Sequence, residues 1–97
     1  MKRQNAQTLG EAIRRFLEEQ HTLNKKLQET RLIQSWSEIV GQGIAHYTTH
    51  LEVKNKKLYV TLSSSLLRHD LTMQRQLLIT KINDFLQNEV ITDIRFL

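Results

Sequence analysis

The chain has 97 residues, enough for one modest core, and its 39% hydrophobic and 25% charged fractions are those of an ordinary globular protein. The absence of cysteine excludes disulfides and thiolate metal sites, and no apolar run is long enough to span a bilayer. The net charge of +4 is unevenly placed: from residue 54 to 81, Lys54, Lys56, Lys57, Arg68, Arg75 and Lys81 stand against one acid, Asp70, whereas Asp84, Glu89 and Asp93 outnumber Arg95 afterwards. That asymmetry suggests a polyanionic partner for the middle of the chain, with a solvated basic surface as the equal alternative.

In chain order, residues 1–7 are polar and expected to be a flexible N-terminus, with a single domain over 8–97. "MKRQNAQTLG" lacks the apolar run of a signal peptide, so a cytoplasmic location is expected. Thr8 stands three residues before Glu11, the spacing of a capping box. Leu9, Ala12, Ile13, Phe16 and Leu17 then follow at helical spacing to about Gln20. After a weak break at "HTLN", Leu23 and Leu27 begin a second helical pattern that runs through Leu32, Trp36, Ile39, Gly43 and Ile44 to Tyr47. Gly43 is expected on its buried stripe.

Beyond Tyr47 the period changes to two. Leu51 and Val53, then Leu58, Val60 and Leu62, read as two strands joined through "NKK". "SSS" at 63–65 offers N-caps for a long helix with Leu67, Leu71, Leu78, Ile82 and Phe85 on its main stripe. Leu66, Met73 and Leu77 widen that stripe and imply burial over much of the circumference. "VITDIRFL" closes as a strand with Val90, Thr92, Ile94 and Phe96 on one face. The order α-α-β-β-α-β predicts an α+β fold, helices packed on a three-stranded sheet.

The segment "GQGIAHYTTH" at 41–50 resembles two sites and satisfies neither. A dinucleotide fingerprint needs a third glycine where His46 stands, and a preceding strand where the pattern is helical. His46 and His50 have zinc spacing on a helix, yet Thr48 and Thr49 sit where helix gives way to strand, and a third ligand is missing. No metal and no cofactor is expected. The serines of "SSS" have no base that sequence can nominate, so the chain reads as no enzyme. Trp36, on an apolar stripe, reads as a core anchor. Tyr59 points away from Leu58 and Val60, towards Thr61 and Arg95, as a base-stacking aromatic would; capping by the N-terminal helix is the competing explanation.

Taken together, "WSEIVGQGIAHYTT", "LYVTLSSSLLRHDL", "LLITKIN" and the terminal "IRF", with "LGEAIRRFL" near the start, are similar to a bacterial family long catalogued as a domain of unknown function and associated with DciA, a loader of the replicative DNA helicase. Length and the Ser-Ser-Ser-Leu-Leu-Arg block most resemble its short members from Bacteroidetes-type bacteria. The resemblance implies a KH-like domain, action at replication initiation, and binding to the replicative DNA helicase and to DNA. KH domains clamp nucleic acid with a GxxG loop, and glycines at 10, 41 and 43 provide none. The expected DNA contact, single-stranded or duplex and with little sequence preference, therefore runs through phosphates at Lys54, Lys56, Lys57, Arg68, Arg75 and Lys81, with Tyr59. The three helical cations span several turns, so not all six can face one way. An RNA-binding module in RNA metabolism is the alternative, and a purely structural interaction domain the third reading.

Overall fold

The computed structural model describes residues 8–97; the segment expected to be flexible, residues 1–7, lies outside the described residues. At its start the capping box forms as the spacing predicts. The Glu11 N–H donates to Thr8 Oγ1 (3.1 Å) and the Thr8 N–H donates to the Glu11 carboxylate (3.0 Å). From this cap helix α1 runs unbroken over Leu9–Gln34. The expected interruption at "HTLN" does not occur. The segment has neither proline nor glycine, and the Thr22 hydroxyl donates back to the Glu18 carbonyl (3.0 Å), so its hydrogen-bonding capacity is spent within the helix.

The breaks come later, at Ser35 and Gly41, which separate α2 (Trp36–Val40) and α3 (Gln42–Tyr47) from α1. Gly41 takes φ 93°, a backbone conformation that side chains disfavour, and so ends α2. This turn re-aims α3. Ile44 and Ala45 pack against the core, while Gly43 is exposed, with nothing within 4 Å of where its Cβ would stand. The buried position expected for Gly43 is therefore wrong.

Strands β1 (Thr48–Lys54) and β2 (Lys57–Leu62) pair antiparallel through the two-residue turn Asn55-Lys56. Both turn residues have positive φ, 52° and 62°, as in a type I′ hairpin, whose twist matches that of the strands. Ser64 caps α4 (Ser65–Met73) by accepting the Leu67 N–H (3.2 Å). Then α5 (Arg75–Leu86) leads to β3 (Asp93–Phe96), parallel to β2. The sheet is mixed, in the order β1-β2-β3, and the fold is α+β as the pattern of periods predicts.

Two expectations about the second half need correction. The long helix is two helices, because the Gln74 N–H bonds to the Leu71 carbonyl three residues back (3.0 Å) and leaves the helical ladder. Each half then turns a single side inward. Leu71, Leu78 and Ile82 are buried, but Leu66, Met73 and Leu77 are 71–76% exposed and do not widen the stripe. The last strand also starts at Asp93 and not at Val90. Ile91 is fully buried and Thr92 exposed, opposite to the expected alternation. The cause is Asn83, whose side-chain oxygen accepts the N–H groups of Val90 and Ile91 (3.0 and 3.2 Å) while its amide donates to the Ile91 carbonyl (2.8 Å). That grip bends residues 90–92 away from strand geometry.

The core lies between one face of the sheet and the helices. Leu58, Val60, Leu62 and Ile94 meet Leu32, Ile39, Leu71, Ile82 and Leu86 there. Trp36 is buried in it, as its stripe position suggests, and its indole N–H donates to Thr48 Oγ1 (3.0 Å), which in turn donates to the Ile44 carbonyl (2.8 Å). Only the second half of α1 approaches this body: Leu32 joins the core, Arg31 stacks 6.0 Å over the Phe85 ring, and His21, Lys25 and Gln28 border a cleft with the hairpin tip. The rest of α1 projects as an arm, and the molecule extends 66 Å against 21 and 20 Å in its other directions.

Candidate nucleic-acid interface

Strand alternation sends Leu58, Val60 and Leu62 into the core and sets the residues between them on the outer face of the sheet. Strand register then orders that face in rows. Lys54 stands opposite Lys57, and Lys57 opposite Asp93. In the next row Glu52, Tyr59 and Arg95 lie side by side, and His50 pairs with Thr61 beyond them. The face is open: the side chains of His50, Glu52 and Arg95 are all more than half exposed. Tyr59, half-buried, keeps Arg95 as its neighbour, while α1 packs on α5, α2 and β1.

Helix α5 adds a cation to the first row. Arg75 Nε lies 3.6 Å from Asp93 Oδ1, and Arg95 Nε lies 3.5 Å from Asp93 Oδ2. The Ile94 N–H, donating to the same carboxylate at 2.8 Å, holds the Asp93 pKa below its ordinary value, and Arg75 and Arg95 act in the same direction. Asp93 thus orients two guanidinium groups at the edge of a surface that already carries Lys54 and Lys57. At the tip of the hairpin Lys56 pairs with Glu89 (3.6 Å), and α1 passes close enough for His21 and Lys25 to line the same cleft.

Of the six cations singled out in the sequence, Lys54, Lys57 and Arg75 therefore share one end of the sheet, with Lys56 beside them at the turn. Arg68 lies at the other end. Its guanidinium donates to the carbonyls of Leu62 and Leu97 (3.3 and 3.5 Å), five strand positions or about 17 Å from Lys57. Lys81 follows Arg75 by six residues on α5, which turns it about 120° away from the Arg75 direction. Sequence reasoning set Arg95 beside Tyr59 without giving it a phosphate contact, and did not bring Lys25 to the surface. Arg95 was legible from strand register opposite Tyr59, whereas Lys25 arrives only because α1 is continuous past "HTLN".

The two histidines that prompted the metal question fall in different elements. His46 is in α3, its ring edge-on to Tyr47, and His50 is in β1, 3.7 Å from Glu52. Among the described residues no group of three or more His, Asp or Glu side chains is placed to hold a metal ion. Nor is any described helix long and apolar enough to cross a membrane. A family model described as "Dna[CI] antecedent, DciA" matches residues 8–96. No curated protein matches the sequence.

Proposed function

Because the chain belongs to the DciA family, whose model it matches over residues 8–96, we propose that it is a non-enzymatic adaptor that binds the replicative DNA helicase and DNA at replication initiation, in the cytoplasm. DciA is a helicase-loader family, and the match over nearly the whole chain is the observation that carries this reading. In it, residues 8–97 form one KH-like domain, and the open face of the sheet is the DNA surface.

Physical chemistry supports the choice of face. Lys54, Lys57, Arg75 and Arg95 place positive charge where a phosphate backbone can run, and Tyr59 offers a ring to an unstacked base. Lys56 and Lys25 extend the positive charge round the hairpin tip. Arg68 is spent on carbonyls of its own chain and contributes mainly to holding α4 on the sheet. With no GxxG loop to clamp bases, contacts to phosphate predominate and base preference is small.

Anisotropy titrations with single-stranded DNA, duplex DNA and RNA of equal length test the surface. Lys54→Glu with Lys57→Glu lowers DNA affinity by roughly tenfold or more at low salt, since two attractive contacts become repulsive. Unchanged affinity in that variant overturns the assignment of the face. Preference for RNA over both DNAs replaces the helicase reading by RNA binding.

A further inference from the structure

The arm of α1 carries apolar residues that the body leaves uncovered. Leu9, Ile13, Phe16, Leu17, Leu23 and Leu27 are each 50–77% exposed. Leu9, Ile13, Phe16, Gln20, Leu23 and Leu27 recur at alternating steps of four and three, the a/d seam of a coiled coil, and Thr30 and Gln34 continue it along the exposed side. Leu32, which anchors the helix in the body, lies about 150° round the helix axis from this seam. A second helix can therefore lie along this seam, on the side of α1 turned away from the core. A helix this long, packed only at one end, gains little from intrinsic propensity, so an uncovered seam on it calls for an occupant.

We propose that the occupant is a second copy of this chain, with the two α1 helices antiparallel and Gln20 of one opposite Leu23 of the other. Charge decides both occupant and register. In this arrangement Phe16 meets Leu27 of the second copy, and the flanking positions place Glu19 beside Lys26 twice, once on each side of the twofold axis. The same flank sets Ala12 beside Ile33, which is 42% exposed. Sliding one heptad brings Glu19 against Glu19 of the second copy. A parallel pair instead opposes Lys26 to Arg31. The sequence of α1 is complementary to itself in one register and repels itself in the neighbouring ones.

Area is adequate as well. Taking roughly 200 Å² for a large apolar side chain, the six exposed residues offer on the order of 700 Å² per chain, close to the roughly 800 Å² per partner of a specific interface. The seam faces away from the body, so this contact leaves the outer face of the sheet free. It stands or falls independently of the helicase reading.

Sedimentation equilibrium at low ionic strength, from about 5 to about 200 µM chain, provides the test. Wild type passes from monomer to dimer across that range. Glu19→Lys and Lys26→Glu each weaken the dimer on the order of tenfold, because two attractive pairs become repulsive. Mixing the two single variants restores a mixed dimer of wild-type strength, since every pair is again opposite in sign. All these positions are exposed, and circular dichroism verifies that each variant is folded. Wild type that stays monomeric throughout overturns the proposal. So does a dimer indifferent to either reversal, or a mixture that fails to recover, each of which assigns the contact to another surface or register.

Discussion

Lys56 occupies the left-handed region, φ 62°, at the second position of the hairpin turn, where a glycine is the usual residue. A side chain there costs about 1–2 kcal/mol relative to an unstrained conformation. Lys56→Gly is therefore expected to raise stability by about 1 kcal/mol in urea titrations while removing one cation from the hairpin tip. Trp36 shows the opposite sensitivity: Trp36→Ala loses about 3–5 kcal/mol, the range for emptying a large aromatic site. Thr48→Val loses a smaller amount, about 1–3 kcal/mol, by leaving the buried indole N–H without its acceptor. Asp93 supplies a pH dependence. Its folded pKa is depressed, first by the Ile94 N–H and then by Arg75 and Arg95, so its contribution is complete above the ordinary carboxylate value and is lost as pH falls through the folded one. Glu11 behaves likewise through the Thr8 N–H and hydroxyl of the capping box. Urea midpoints measured between neutral pH and about pH 3 fall with acid, and Asp93→Asn flattens that fall. Such residue-level roles were unevenly legible. The buried place of Trp36 follows from spacing on a stripe, and the capping box from three positions of sequence. The grip of Asn83 on residues 90–92 does not, because nothing local marks which backbone groups a distant amide will meet.

At the scale of elements, periodicity located the hairpin and the buried Leu71, Leu78 and Ile82 of the two final helices, though not Ile79 or Leu86, since a period of two or 3.6 is imposed by one buried face. It failed where apolar spacing and burial part company. In α1 the apolar stripe is regular but faces solvent, and α1 is anchored from its other side by Leu32. Spacing reports that a face exists, not what covers it. The same holds for Leu66, Met73 and Leu77, which extend an apolar pattern without reaching the core. Breaks were misplaced for a related reason: polar residues at "HTLN" resemble a loop, yet a helix tolerates them when no proline or glycine intervenes. The Asn83 contact makes a test at this scale. Asn83→Ala frees the Ile91 N–H and carbonyl and leaves the Val90 N–H with the Asn88 carbonyl alone, and is expected to lose about 2–3 kcal/mol. Hydrogen exchange in this variant rises first at residues 90–92 and then at β3, ahead of the β1–β2 hairpin.

In the proposed function, separate surfaces of the molecule serve separate partners. The open sheet face collects Lys54, Lys57, Arg75 and Arg95 about Asp93, and this cluster was only half visible in the sequence. Lys54 and Lys57 follow from the hairpin, but Arg75 joins them through tertiary packing, and the same packing carries Lys81 elsewhere. If three or four of these cations contact phosphates, DNA affinity falls with salt at a log–log slope of about −2 to −4. Asp93→Asn, which frees two guanidinium groups from a carboxylate, is expected to strengthen DNA binding a few-fold at neutral pH. Opposite charge across a protein contact would mostly raise the association rate and set orientation. The helicase contact is thus expected to survive changes to the basic face. Calorimetry with the purified replicative helicase of the same organism, using wild type and the Lys54→Glu, Lys57→Glu variant, tests whether the chain holds the helicase apart from its DNA face. The expected result is binding by both, with similar affinity, although only wild type binds DNA. No heat of binding from folded wild type at tens of micromolar, a range well within reach of a specific interface, would contradict it.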